Sequence, residues 1–148
     1  ISDRPKSEVF QGRIAVAKVL NEIINNAKDL LIIGSEKNAL EKISFLPKSF
    51  RTKKLENNVN VKEILEPSKE AYLLKDDDKT EIRLLDSIIN SQEATFIFDD
   101  LVYHLLLTDE ISAIKIKSKI HADAMKIHFN ELWNIAIPAD NYPYKKLV

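Results

Sequence analysis

Between Ser7 and Asn26 apolar residues recur at spacings of three and four, through Phe10, Ile14, Ala17, Leu20 and Ile24 to Ala27, the period of a helix that buries one face. A second stripe, Val9, Val16, Val19 and Ile23, widens the apolar arc well beyond the usual face of about 100°. The pattern predicts a helix touching two surfaces, the second being either a subunit interface or more of its own sheet. After Asn25-Asn26 the run Asp29-Leu30-Leu31-Ile32-Ile33-Gly34-Ser35 is almost unbroken in apolarity, as a central strand covered on both faces requires. Ser35 then stands where it can N-cap a helix carrying Ala39, Leu40, Ile43 and Leu46, which Pro47 stops.

Further along, Lys48 to Glu56 is basic and weakly periodic around Phe50 and Leu55, a short helix with Asn57-Asn58 as its C-cap. Val59 to Leu65 reads as a strand ended by Pro67, and Ser68 to Asp78 as a loop or short helix closed by three aspartates. Glu81 to Leu85 and Ala94 to Phe98 are strands, and Asp99-Asp100 turns the second of them into Leu101 to Leu107 as a hairpin. Ser112 to Lys117 alternates apolar and basic, a half-exposed strand. Lys119 to Ile137 is a long helix with Met125, Phe129, Leu132, Trp133 and Ala136 on one face, ended by Pro138. The order α-β-α-α-β-β-β-β-β-α predicts an α/β sandwich, a mixed central sheet flanked by helices.

Composition narrows what such a fold can do. A chain of 148 residues fits one domain, taken here as residues 1–148, and can bury a core without staples. Hydrophobic residues at 45% and charged residues at 30% exclude disorder, and no apolar stretch reaches the roughly 18 residues of a membrane helix. With 22 Lys and Arg against 23 Asp and Glu, the net charge of −1 gives no overall attraction for nucleic acid or anionic lipid. The absence of cysteine removes disulfides, thiol nucleophiles and thiolate metal sites and fits a cytoplasmic location. Only Gly12 and Gly34 are present, too far apart for any glycine-rich phosphate loop or nucleophile elbow. The chain opens on Ile1 with no signal-peptide pattern, and reads as an excised piece with something before it.

Few residues offer chemistry. His121 and His128 share a helix face but stand about 10.5 Å apart along it, too far to ligate one metal, and read as polar flanks of the core stripe. His104, within Tyr103-His104-Leu105, reads as a sheet histidine with its hydrogen bonds satisfied; its catalytic alternative is a dyad with Asp99 or Asp100 across the hairpin. Asp76-Asp77-Asp78 lacks the alternate spacing and glycine of a calcium loop. Arg51, Lys53 and Lys54 have no interleaved aromatics and read as an exposed helix face. No metal and no cofactor are expected. Arg83 lies inside an apolar strand, where a guanidinium must reach solvent, a ligand or a carboxylate, Asp99 being the expected partner. Ser35 and Lys37 follow a strand's carboxyl end and open a helix, where free amides favour anions or polar ligands.

Phe10-Gln11-Gly12-Arg13, Asn26 through Ser35, Val59-Asn60-Val61-Lys62, Glu81-Ile82-Arg83, Phe98-Asp99-Asp100, Ala113 through Ser118 and Phe129-Asn130-Glu131-Leu132-Trp133 follow one another in a distinctive order. By that order the chain resembles the C-terminal domain of TrmB-type transcriptional regulators, mostly archaeal. The resemblance implies a phospholipase D-like fold, an effector-binding domain, sugars as effectors of some relatives, and a winged helix-turn-helix ahead of it. Phospholipase D enzymes use His-x-Lys, with an Asp five residues after the Lys, to attack and stabilise a phosphoryl group. No His-x-Lys occurs in this sequence. With Asp100 as the motif's Asp, the His and Lys positions hold Glu93 and Thr95; with Asp99, they hold Gln92 and Ala94.

The resemblance and the missing nucleophile together lead to a non-enzymatic ligand-sensing and dimerisation domain. It is expected to form a homodimer, to take a small-molecule effector, to reach DNA only through a preceding domain and to avoid membranes. The expected ligand site lies at the carboxyl ends of the strands, near Ser35, Lys37, Arg83 and Asp99. Two alternatives remain open at this point: a phosphodiesterase or hydrolase on the same fold, and a dimerisation module with no ligand.

Overall fold

The computed structural model describes residues 4–34, 47–68, 79–88 and 91–143. Eight strands form one mixed sheet: β1 (Lys6–Gln11), β2 (Asp29–Gly34), β3 (Asn60–Leu65), β4 (Thr80–Leu84), β5 (Glu93–Phe98), β6 (Leu101–Leu106), β7 (Ser112–Lys117) and β8 (Ile137–Pro138). Their order across the sheet is β1-β7-β6-β5-β2-β3-β4-β8. Helices α1 (Arg13–Asn26) and α2 (Pro47–Glu56) cover one face, and α3 (Lys119–Ile135) crosses the other. This is the predicted α/β sandwich, with two strands the hydrophobic pattern did not reveal.

The first of these corrects the predicted helix over Ser7 to Asn26. Lys6–Gln11 is instead an edge strand, antiparallel to β7 with Val9 opposite Ile114 and Phe10 opposite Ala113. Gly12 separates strand from helix: its φ of 91° lies where side-chain-bearing residues are strained, and its N–H donates to the Ile111 carbonyl at 2.8 Å. Gly12 also offers the first carbonyl of α1, to the Val16 N–H at 3.0 Å. Once Val9 and Phe10 belong to a strand, the wide arc of α1 shrinks to Val16, Val19, Leu20, Ile23 and Ile24, all buried. That arc packs on its own sheet, whereas Ile14, which the pattern placed in the same stripe, is 78% exposed.

β2 is the central strand expected of its apolar run. Leu30 and Ile32 face the α1 layer, and Leu31 and Ile33 face the α3 layer. It pairs parallel with β3 and antiparallel with β5, so strand direction reverses at its β5 side. The helix predicted after Ser35 lies outside the described residues. Pro47, expected to stop it, opens α2, a first-turn position that suits a residue without an N–H. Asn58, at φ 54°, ends α2 as anticipated, with the Val59 N–H donating to the Lys54 carbonyl at 3.1 Å. The predicted exposed basic face of α2 needs correction at Lys54, which is only 4% exposed, and at Lys53, whose ammonium donates to the Asn21 amide oxygen at 2.7 Å.

α3 is capped by Ser118, whose hydroxyl accepts from the His121 N–H at 3.1 Å, and stops at Ile135, two residues before the predicted end. Ile137 and Pro138 then add a short edge to β4, with Pro138 opposite Arg83. Proline lacks the ladder donor, which confines it to such an edge. Under α3 lie Ile64, Ile97 and Val102, against which the helix buries Ala122 and Phe129, the latter with its ring stacked on Trp133 at 5.6 Å between centroids. Among the described residues, no helix is long and apolar enough to cross a membrane.

Because Phe129 is 0% exposed, Phe129→Ala is expected to cost about 3–5 kcal/mol in urea unfolding. Ile127→Ala, at a position 59% exposed on the same helix, should shift stability by no more than about 0.5 kcal/mol.

Candidate functional site

The pleat of β5 sends alternate residues to one face, and Ile97 at the core under α3 fixes which one, so Glu93 and Thr95 share the α3 side. The tight Asp99-Asp100 turn sets the β5–β6 register, placing Thr95 opposite His104. The three side chains converge. His104 Nδ1 lies 2.5 Å from Glu93 Oε1, the Thr95 hydroxyl lies 3.4 Å from the same ring nitrogen, and it donates to Glu93 Oε1 at 3.5 Å. A carboxylate on Nδ1 holds the proton there, which makes Nε2 the acceptor nitrogen of a neutral ring. His104 is largely buried, while Glu93 stays half exposed to water.

The first turn of α3 closes this group from above. With Ser118 fixing the helix start, His121 sits over β6, its ring 5.9 Å from that of His104 and tilted by 47°. His121 Nε2 is buried without a hydrogen-bond partner among the described residues. Burial, and secondarily the charge on His104, holds His121 below its ordinary pKa. No group of three or more His, Cys, Asp or Glu among the described residues is arranged to hold a metal.

Three strands away on the same face is a second polar group. Arg83 pairs across the ladder with Ile64, Ile64 with Ile33, and Ile33 with Thr95, so Arg83 and Thr95 occupy one row about 14 Å apart. The Arg83 guanidinium donates through Nη1 to the Trp133 carbonyl at 2.7 Å and lies 4.4 Å from the indole centroid. The Lys62 ammonium is 5.5 Å from the same ring.

The four residues expected to form a ligand site are therefore not all brought together. Arg83 stands next to last in β4, at the carboxyl ends of the parallel strands β2, β3 and β4. Asp99 is at the opposite end, because β5 runs against β2 and its carboxyl end points the other way. There it holds φ 52° in the hairpin turn, and its carbonyl accepts from the Lys126 ammonium at 2.7 Å. The anticipated Arg83–Asp99 ion pair is replaced by the Arg83–Trp133 contact, and Asp86 accepts a hydrogen bond from the Tyr142 hydroxyl at 2.8 Å. Ser35 and Lys37, like Asp76-Asp77-Asp78, lie outside the described residues. His104 is the satisfied sheet histidine expected, but its partner is Glu93, not Asp99 or Asp100. Its neighbour His121, read as a polar flank, was missed as a member of the group.

On the opposite face Lys115 and Glu22 pair at 2.6 Å beside Tyr103. Burial first, and then the Glu22 carboxylate, pushes the Tyr103 hydroxyl up to about 12, so it stays neutral and serves the core.

No protein-family model matches the sequence, and no curated protein matches it. Solved structures do. TrmBL2, an archaeal chromatin protein whose structure shows a novel mode of DNA binding, superposes with a TM-score of 0.67 at 20% identity, over 89% of this chain and 52% of that one. NucT from Helicobacter pylori matches with a TM-score of 0.71 at 12% identity, over 91% of this chain and 99% of its own. Nuc from Salmonella typhimurium, a phospholipase D family member, gives 0.61 at 12% identity, over 91% and 98%. The chain thus has the phospholipase D-like fold, and it spans about half the length of TrmBL2.

The pH dependence of stability tests the His121 environment. With a folded pKa below the unfolded value of about 6.5, His121 takes up a proton more readily when unfolded. The stability carried by its neutral ring is complete above that pH and is lost as pH falls through the folded value. The urea midpoint should therefore drop between pH 7.5 and pH 5, and His121→Asn should flatten that drop. An equal drop in the variant would place the acid sensitivity elsewhere.

Proposed function

We propose that this chain is a non-enzymatic ligand-sensing and dimerisation domain of a TrmB-like transcriptional regulator acting in the cytoplasm. DNA would be read by another part of the protein, and an effector favouring one arrangement of the dimer would change the spacing of its two DNA-reading elements. Closed two-fold symmetry is the arrangement expected of such a dimer. The likeness to TrmBL2 in fold supports the regulator reading. The observation that carries the non-enzymatic reading is the Glu93-Ala94-Thr95 segment. In the frame set by Asp100, the positions where a phospholipase D enzyme keeps its His and Lys hold a carboxylate and a hydroxyl, both engaged with His104. A carboxylate there repels a phosphodiester, and no lysine from this frame neutralises its charge.

One observation favours a second reading. A histidine whose Nδ1 faces a carboxylate at 2.5 Å has the orientation of a general base, so a phosphodiesterase built on Glu93–His104 is the competing function. A bare dimerisation domain without ligand is the third.

Incubating the purified domain with bis(p-nitrophenyl) phosphate separates the first two. The expected rate equals that of buffer, for wild type and for His104→Ala alike. Turnover that disappears in His104→Ala would overturn the non-enzymatic reading in favour of the dyad.

A further inference from the structure

We propose that Arg83 and Lys62, set around the indole of Trp133, form a subsite for an oxyanion carried by a small molecule, the phosphoryl or carboxyl group of an effector. The inference rests on the effector-binding reading above and gives the effector a charge.

Lys62 and Arg83 sit diagonally on the parallel pair β3–β4, Lys62 opposite Glu81 and Arg83 opposite Ile64. Both cations lie within 6 Å of one ring centroid. Arg83 is half-buried and held in one pose by the ring and by the Trp133 carbonyl, which takes a single N–H and leaves most of the guanidinium fork unspent. Among the described residues, neither cation has a carboxylate partner. Two like charges gathered on one indole repel each other, and Glu81, on the same face, forms no ion pair among the described residues that would relieve the half-buried guanidinium. An oxyanion between them removes both penalties, and the planar fork matches phosphate and carboxylate oxygens. The place is also apt: Arg83 is next to last in β4, at the carboxyl ends of the parallel strands, where open α/β sheets bind ligands.

The size of the positive patch selects a small molecule over a nucleic-acid backbone. DNA binding needs a track of cations along many phosphates. Among the described residues the patch holds two, Glu81 stands next to both on the same face, and the chain's net charge is −1. One anionic group fits; a polyanion meets Glu81.

Trp133 is the only tryptophan, so its fluorescence reads this site directly. The purified domain is titrated with inorganic phosphate, glucose 6-phosphate, glucose and a short DNA duplex. Saturable quenching or enhancement is expected with phosphate and glucose 6-phosphate and none with glucose or DNA. Arg83→Gln should weaken the phosphate response at least about tenfold, as loss of a charged hydrogen-bond donor does. Because Arg83 also holds the end of α3, Lys62→Gln is the companion variant: its exposed side chain anchors nothing, so the fold stays intact, while phosphate affinity should fall several-fold. Phosphate binding that is unchanged in both variants overturns the proposal. Glucose binding indifferent to both variants overturns it while leaving the effector reading in place. DNA competing with phosphate at this site overturns the choice of a small molecule. No response to any of the small molecules counts against the anion site and the effector reading together.

Discussion

The ladder between β5 and β6 is the constraint on which the candidate site depends. A two-residue turn at Asp99-Asp100 leaves no slack, so Phe98 pairs with Leu101 and, three steps further along the ladder, Thr95 with His104. A slip of one residue would send His104 to the α1 side and Tyr103, now wholly buried against α1, to the α3 side. The hydrogen bonds among Glu93, Thr95 and His104 thus follow from strand pairing and need no loop to position them.

α3 ties the two polar groups of this face together. Its first turn rests His121 on His104, and its last turn offers the Trp133 carbonyl and indole to Arg83. Between these ends it buries Ala122 and Phe129 on the central strands. A displacement of Arg83 would act on the C-terminal end of a helix whose N-terminal end is pinned by Ser118 and His121, so both polar groups of this face would feel it. The outer surface of that helix is exposed, with Ile120 and Ile127 on it.

Much of the fold was legible because burial writes itself into period. The unbroken Leu30-to-Ile33 run announced the central strand, the Asp99-Asp100 turn announced the hairpin, and Met125 to Ala136 announced α3. The misreadings have physical causes. Phe10 and Val9 happened to continue the helical period of α1, and only the positive φ demanded at Gly12 marked the break; glycine there was the available signal. β8, two residues long, is too short to have a period. For the site, sequence order could not supply strand direction: Asp99 follows a strand's carboxyl end just as Arg83 nears one, yet β5 runs against β4 and the two ends are opposite edges. The Glu93–His104 contact, by contrast, was within reach, since counting back from the Asp99-Asp100 turn pairs residue 95 with 104 and puts Glu93 on the same face.

The central claim is that Glu93 and Thr95 are tied to His104 in one hydrogen-bonded group that strand pairing assembles. The imidazole ¹⁵N spectrum of the histidines at pH 7.5 tests it most directly. The account predicts His104 with its proton on Nδ1, that proton shifted far downfield by the Glu93 carboxylate and restored to an ordinary position by Glu93→Gln. A His104 ring carrying its proton on Nε2, with a spectrum indifferent to Glu93→Gln, would contradict it.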